Sequence, residues 1–188
     1  MITAATIGHF DGVHLGHQHV IRRLRQLAGE RGIDTITVVT FDRLPRSLFD
    51  PTYKPRMLMT LEERCQTLRD YGVDRVEVLT FDRQMASTPA YDFMKTKLRD
   101  ELGVRLLLLG YDNRFGKRVE GEGFEDYVRY GKELGIEVIE CDVFRLEDGS
   151  TVSSTRIREL IEQGDIEVAK QLLKAPSPEG EGGGRGSL

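Results

Sequence analysis

The chain has only two cysteines in 188 residues, Cys65 and Cys141, far apart and with no Cys-x-x-Cys pair. That argues against a cysteine-built structural zinc site. Both thiols read as reduced, buried side chains of a cytoplasmic protein. Long apolar runs are also missing. The longest, LLLLG after Arg105, is strand length and far short of the ~20 residues of a membrane helix. The opening MITAATIGHF has neither a basic start nor an extended apolar core, so no secretory signal and no membrane association are expected. No block of like charge occurs, and 27 Lys and Arg against 31 Asp and Glu leave a formal net charge of -4. This balance argues against a nucleic-acid partner. No internal repeat is visible, and no obligate protein partner is evident. What is left, 39% hydrophobic and 31% charged, is the mix of an ordinary globular domain with a proper core.

The apolar pattern alternates between short β-rich runs and helical stretches. Ile2–Ile7, Thr35–Phe41, Arg75–Leu79, Arg105–Leu109 and Glu137–Glu140 read as buried strands. Between them, His17–Arg31 carries Val20, Ile21, Leu24 and Leu27 on one helical face. Leu61–Tyr71 follows Thr60 as N-cap, with Glu63 at the capping-box position. Pro89–Glu101 follows Thr88, with proline at the first helical position. Phe124–Leu134 stops at Gly135. The alternation predicts an α/β, doubly wound, five-stranded parallel sheet of order 3-2-1-4-5, covered on both faces by right-handed crossovers. Asp148-Gly149 marks a hairpin turn, and Thr155–Gln163 and Ile166–Leu173 form a small C-terminal helical segment. From 174 to 188 the chain turns to Gly, Pro, Ser and Glu and reads as a disordered tail after a 1–173 domain. Glu62-Glu63-Arg64 reads as surface charge with a capping role, and Cys65 as a buried thiol beside Leu61 and Leu68.

All four histidines, His9, His14, His17 and His19, fall within the stretch GHFDGVHLGHQH. In an open parallel sheet, ligands bind beyond the carboxyl ends of the strands where the strand order reverses. The stretch is the loop leaving the first strand, running into a helix near His17. Gly8, Gly12 and Gly16 permit close backbone approach to a ligand, and the helix start offers free N–H groups and a positive dipole end. Histidines there can donate to phosphate oxygens. Zinc ranks lower. His14 and His17 are three apart rather than four, no glutamate stands beside the first, and Asp11 is the one obvious third ligand. GYDNRFG, Gly110 to Gly116, leaves the fourth strand at the same edge and lacks the spacing of a P-loop.

FDGVHLGH resembles the HxGH signature of the nucleotidyltransferase superfamily, and VSSTRIR, Val152 to Arg158, resembles its SSTxxR element. The run from Ile2 to about Leu173 is similar to the adenylyltransferase module of bacterial FAD synthetase. The stretches that carry this are TIGHFDGVHLGHQ, VVTFDRLPR, PRMLMTLEERCQTLRDYGVDRVEVLTFD, LLLGYDNRFGK and VSSTRIRELIEQGDIEVAKQLL. The resemblance implies a Rossmann-like fold and the reaction ATP + FMN → FAD + pyrophosphate, with magnesium on ATP. It implies His14 and His17 at the ATP phosphates, and Ser153, Ser154, Thr155 and Arg158 at the leaving pyrophosphate. It implies Gly8, Phe10, Asp11 and Gly16 around the nucleotide. Gly110, Asp112, Asn113, Arg114 and Phe115 fall near the adenine or the flavin, undivided between the two. No protein-held metal is implied. Where the family has Pro-His-Pro-Arg near the flavin phosphate, this chain has Arg43-Leu44-Pro45-Arg46, so Leu44 replaces the histidine. The riboflavin kinase module of the family would begin near Leu173, where the Gly-rich tail stands instead. The competing readings are a related transferase with another phosphorylated acceptor, a non-catalytic nucleotide- or flavin-binding protein, and more distantly a metal-dependent hydrolase.

Overall fold

The computed structural model describes residues 1–111, 113–117 and 119–174. Among these, the strands are β1 (Thr3–Ile7), β2 (Thr35–Phe41), β3 (Arg75–Leu79), β4 (Val104–Leu109) and β5 (Glu137–Glu140). The helices are α1 (Leu15–Glu30), α2 (Pro45–Phe49), α3 (Leu61–Asp70), α4 (Arg83–Ser87), α5 (Ala90–Phe93), α6 (Phe124–Leu134), α7 (Ser154–Gln163) and α8 (Ile166–Leu173). The strands pair in parallel in the order β3-β2-β1-β4-β5. The chain builds outward from β1 to β3, then returns to the other side of β1 for β4 and β5. The order therefore reverses at β1, and the exits of β1 and β4 flank the crevice where such sheets take ligands.

The strand sequences explain the positions. β1 is buried at every residue, and β4 at all but Arg105. Alternate residues feed opposite faces, as period two demands. Ala4, Ile36, Leu106 and Leu108 pack under Leu24, Leu27 and Ala28 of α1. Val38 joins Ile21 of α1 and Leu68 of α3 on that same face. Ala5, Ile7, Val39, Leu107 and Leu109 face the other way, toward Phe93, Met94, Leu98 and Tyr127. Helices cover both faces, which makes the sheet doubly wound. β3 and β5, read from sequence as buried, are the sheet edges and half-exposed. An edge strand has one neighbour fewer, so Glu77 and Glu137 are tolerated there.

Other boundaries shifted for local reasons. α1 begins at Leu15, two residues before the expected start, because His14 itself caps it. α7 begins at Ser154, with Ser153 as N-cap. Pro89 is the N-cap of α5 rather than its first helical residue. The helix expected through Glu101 continues past Phe93 as a π-helical segment, Met94–Glu101. There Thr96 Oγ1 donates to the Asp92 carbonyl at 2.8 Å, a side-chain partner that competes with the regular ladder. The short helices α2 and α4 had no counterpart in the sequence reading. The Asp148-Gly149 turn does close an antiparallel bridge between Arg145 and Thr151. α7 and α8 form their own small cluster around Ile157, Ala169 and Leu172. No described helix is long and apolar enough to cross a membrane. Residues 175–188 of the expected tail, and the site candidate Asp112, lie outside the described residues.

Candidate active site

The loop between β1 and α1 is held in an unusual backbone. Phe10 has φ 56° and Val13 φ 40°, alongside Gly12 at 84°. Left-handed backbone at a residue with a Cβ costs about 1–2 kcal/mol. Specific bonds offset that cost. The His9 carbonyl accepts from Thr40 Oγ1 at 3.0 Å and from Arg64 Nη1 at 2.8 Å. The buried Asp11 carboxylate accepts from the backbone N–H of Leu58 at 3.0 Å and of Met59 at 3.2 Å. It also takes Arg158 Nη2 at 2.6 Å. Ser154 Oγ donates to the Asp11 carbonyl at 2.8 Å. Phe10 and Val13 are buried against Ile21, Val38 and Leu68. Gly12 is favoured by its φ, and a side chain there would also push on the ends of Leu58 and Leu173.

The four histidines separate into three environments. His14 caps α1, its Nδ1 accepting from the His17 backbone N–H at 3.4 Å. With Nδ1 as acceptor, the neutral ring carries its proton on Nε2 as a donor. His17 lies against it, the ring centroids 3.6 Å apart and nearly parallel. Burial pushes His14 down to about 4, against the pull of Asp11. Burial, then the neighbouring His14, His9 and Arg64, hold His17 well below the usual histidine value. Both rings are therefore neutral at physiological pH. His17 Nδ1 is buried with no partner among the described residues. His9 faces Arg64, whose Nη1 lies 2.8 Å from its Nδ1. Burial, then the Arg64 guanidinium, lowers His9 to about 4. His19 turns away to the end of β5, 3.3 Å from Asp142. Only His14 and His17 form the stacked pair at the helix start.

The start of α7 faces the same space. Ser153 Oγ caps the helix, accepting from the Arg156 backbone N–H at 3.2 Å. Ser154 Oγ is spent on Asp11, while Thr155 is exposed to the cavity. Neither α1 nor α7 carries an acid in its first turn, so two positive dipole ends point at one cavity. Gly16 leaves room for the His14 ring, on which a Cβ there would press at 3.2 Å. Arg158 reaches the cavity wall with two groups engaged. Its Nη2 is on Asp11 and its Nε on the Arg56 carbonyl at 2.7 Å.

From the exit of β4, Asn113 Nδ2 donates back to the Ile7 carbonyl at the end of β1. Asn113 thereby bridges the switch point of the sheet. Phe115 is buried, stacked on Tyr127 with centroids 4.7 Å apart. The result is two cavities. The first, about 690 Å³, is lined by Gly8, Phe10, Asp11, His14, Gly16, His17, Leu44, Gly110, Ser153, Ser154, Thr155 and Arg158. The second, about 870 Å³, is lined by Phe41, Pro45, Phe49, Phe81, Met85, Phe93, Phe115 and Tyr127. Ile7, Gly8, His9, Asn113 and Arg114 border both. The polar cavity suits a polyphosphate and the aromatic one a flat ring system.

A family model described as FAD synthetase matches residues 2–156. The chain belongs to the FAD synthetase family. Among curated proteins named bifunctional riboflavin kinase/FMN adenylyltransferase, that of Haemophilus influenzae is 39% identical, over 92% of this chain and 55% of its own length. The one from Pseudomonas fluorescens is 38% identical, over 92% of this chain and 54% of its own length. This chain thus spans about half the length of those relatives. A crystal structure described as a macrolide-efflux protein from Streptococcus pneumoniae is 31% identical and superposes with a TM-score of 0.80, covering 94% of this chain and 57% of that one.

For a FAD synthetase family chain, the most consequential residue missed from sequence is Arg64. It is 2% exposed rather than a surface charge, with Nη2 on the Phe41 carbonyl at 2.7 Å. The signal was present: Arg64 is four residues from Leu68, which is fully buried on the face that packs inward. Glu63 does complete the capping box with Thr60, as expected. Cys65 and Cys141 are both buried free thiols. Burial pushes the Cys141 thiol up to about 11, which leaves it unreactive. Among the described residues, the grouping compact enough to share a metal is His19, Cys141 and Asp142, and not the HxGH pair.

Proposed function

We propose that this chain transfers AMP from ATP to FMN, giving FAD and pyrophosphate. One observation carries the reading: a polar cavity fed by two helix starts and two neutral histidines meets an aromatic cavity at the exit of β1. ATP takes the first and the isoalloxazine ring of FMN the second, with the FMN phosphate at the seam beside Asn113 and Arg114. An oxygen of that phosphate attacks the α-phosphorus of ATP. The bond from the α-phosphorus to the bridging oxygen breaks, and pyrophosphate leaves with the electron pair. A phosphate nucleophile is already ionised, so the protein supplies position and charge stabilisation rather than a base.

His14 and His17 donate to the transferring phosphoryl. The backbone N–H groups of Ser153, Ser154 and Thr155, with the remaining Arg158 nitrogen, hold the β- and γ-phosphates. Gly8, Phe10, Asp11, Gly16 and Gly110 shape the nucleotide cavity, and Asp11 does so through Arg158 and the Leu58–Met59 backbone. Phe115 and Tyr127 form part of the aromatic wall. Asp112, outside the described residues, is given no role. Magnesium enters as MgATP. The carboxylate lining the phosphate cavity, Asp11, is engaged by Arg158 and two backbone N–H groups, and Asp142 stands exposed at the rim. A protein-held metal is therefore not part of the proposal.

Residues 1–173 are the proposed working unit, and ATP and FMN as substrates assign it to the cytoplasm. Of the two activities in the relatives' names, the adenylyl transfer is the one the HxGH and SSTxxR resemblance supports. A different phosphorylated acceptor is favoured by one observation. Leu44 lines the phosphate cavity next to Pro45, which lines the aromatic one. An apolar side chain stands where the family has a histidine. The test is pyrophosphate release from MgATP with FMN, then with other phosphate acceptors. Pyrophosphate and FAD in equal amounts, from FMN alone, are expected. Release only with another acceptor would shift the substrate, and no release with any acceptor would sink the transferase reading.

A further inference from the structure

Arg64 is a buried cation whose bonding partners are not acids. Its guanidinium grips the carbonyls of His9 and Phe41, at the exits of β1 and β2, and touches the His9 ring. Its Nε is buried without a partner among the described residues. Asp11 and Asp42 influence it from a distance without pairing to it. Removing an arginine from water without a carboxylate is unfavourable for the fold. Two carbonyls could be bridged by a neutral amide, so the positive charge needs a further reason.

Its position supplies one. The loop that Arg64 holds also carries His14 and His17, which line the phosphate cavity, while Arg64 does not. The peptide following His9 opens the strained turn at Phe10, and Arg64 and Thr40 both hold its carbonyl. A fixed cation behind such a loop favours a polyanion in front of it, the more so in a poorly solvated interior. Nη1 also lies 2.8 and 3.1 Å from the two His9 ring nitrogens, and a cation that close disfavours a second proton on the ring.

We propose that Arg64 is a positioning residue for the phosphate cavity: it fixes the His9–Phe10 peptide and the neutral His9 ring so that the loop accepts a polyphosphate. The inference rests on reading that cavity as the ATP site. Groups facing His9 are Arg64 from α3, Asp11 from its own loop, Arg158 from α7 and His17 from α1. Only the first is changed in the test.

The experiment uses the full chain with Arg64→Met and Arg64→Lys. In the ligand-free proteins, the His9 ring protons are titrated by NMR. The wild-type ring, pushed down to about 4 by burial and then by Arg64, is expected to titrate there. The Met variant is expected to titrate higher, and the Lys variant in between. With MgATP and FMN, kcat/KM for ATP should fall by about tenfold or more in the Met variant and recover in part with Lys, while KM for FMN changes by less than about twofold. An unshifted His9 in the Met variant, or equal losses toward ATP and FMN, would overturn the proposal. So would a Lys variant that loses equally toward ATP and FMN, which keeps the test decisive if the Met variant fails to fold. Failure of the transferase reading shows separately, as a wild type that makes no FAD while the His9 titration still reports on Arg64.

Discussion

The two cavities beside β1 are built from different materials. The phosphate cavity adds to its side chains a set of fixed backbone groups: two helix starts, a loop held at positive φ, and carbonyls and amides tied down by Asp11, Arg64, Arg158 and Ser154. The aromatic cavity is made of side chains from α2, α4, α5 and the β4 loop. Backbone dipoles fixed in advance suit charge that develops during a reaction, because nothing must reorient. Packed rings suit a ligand held for its shape and apolar area. Substitutions in the first cavity should therefore change rate, and those in the second should change flavin affinity.

The sharpest test of that division is His17→Ala. It should lower kcat by about a hundredfold to a thousandfold, the range for loss of one preorganised donor, with FMN affinity unchanged by flavin fluorescence. A loss confined to FMN binding would erase the distinction.

The histidines also tie the phosphate cavity to pH. His9 and His14 are held near 4, below the unfolded value of 6.5. Between those values the unfolded chain binds protons that the folded one refuses. Stability is therefore full above about pH 6.5 and is lost as pH falls toward 4. The buried His14 alone accounts for up to about 3 kcal/mol. Urea midpoints at neutral and acid pH should show the fall, and His14→Asn, which keeps an N-cap, should flatten it. A midpoint that rises on acidification would contradict the buried neutral rings.

Arg158→Ala comes next. It removes a proposed phosphate contact and leaves Asp11 without its cation. KM for ATP should rise about tenfold, with a stability loss of about 2 kcal/mol in denaturant melts. If KM for FMN rose instead, the two cavities would have been assigned the wrong way round. The smallest effect is expected on the aromatic side. Phe49 lines that cavity yet is 62% exposed without ligand. Phe49→Ala should weaken FMN binding about fivefold, equivalent to about 1 kcal/mol of aromatic contact, with no measurable change in stability or in KM for ATP.

Much of this contrast could be read from sequence, though unevenly. The five strand runs, their order and the loop carrying the histidines follow from hydrophobic period and from where parallel sheets bind ligands. The capping box at Thr60 and the stop at Gly135 follow from local chemistry that needs no tertiary partner. The aromatic cavity did not follow, because its rings come from segments dispersed between Phe41 and Tyr127 and two of its helices are only five residues long. The separate fates of the histidines were hidden for another reason. They depend on positive φ at Phe10 and Val13, residues with no intrinsic leaning toward that region. Arg64 is the instructive miss. Its helical spacing placed it on the apolar face, and its charge led to the opposite reading.

The most direct test of two adjoining cavities is whether both ligands bind at once. FMN fluorescence would be titrated with the protein, alone and with a saturating non-hydrolysable ATP analogue and magnesium. The account predicts that FMN still binds, at equal or tighter affinity, because ATP occupies the histidine cavity and leaves the aromatic one open. Displacement of FMN by the analogue would mean that one cavity serves both, and would contradict it.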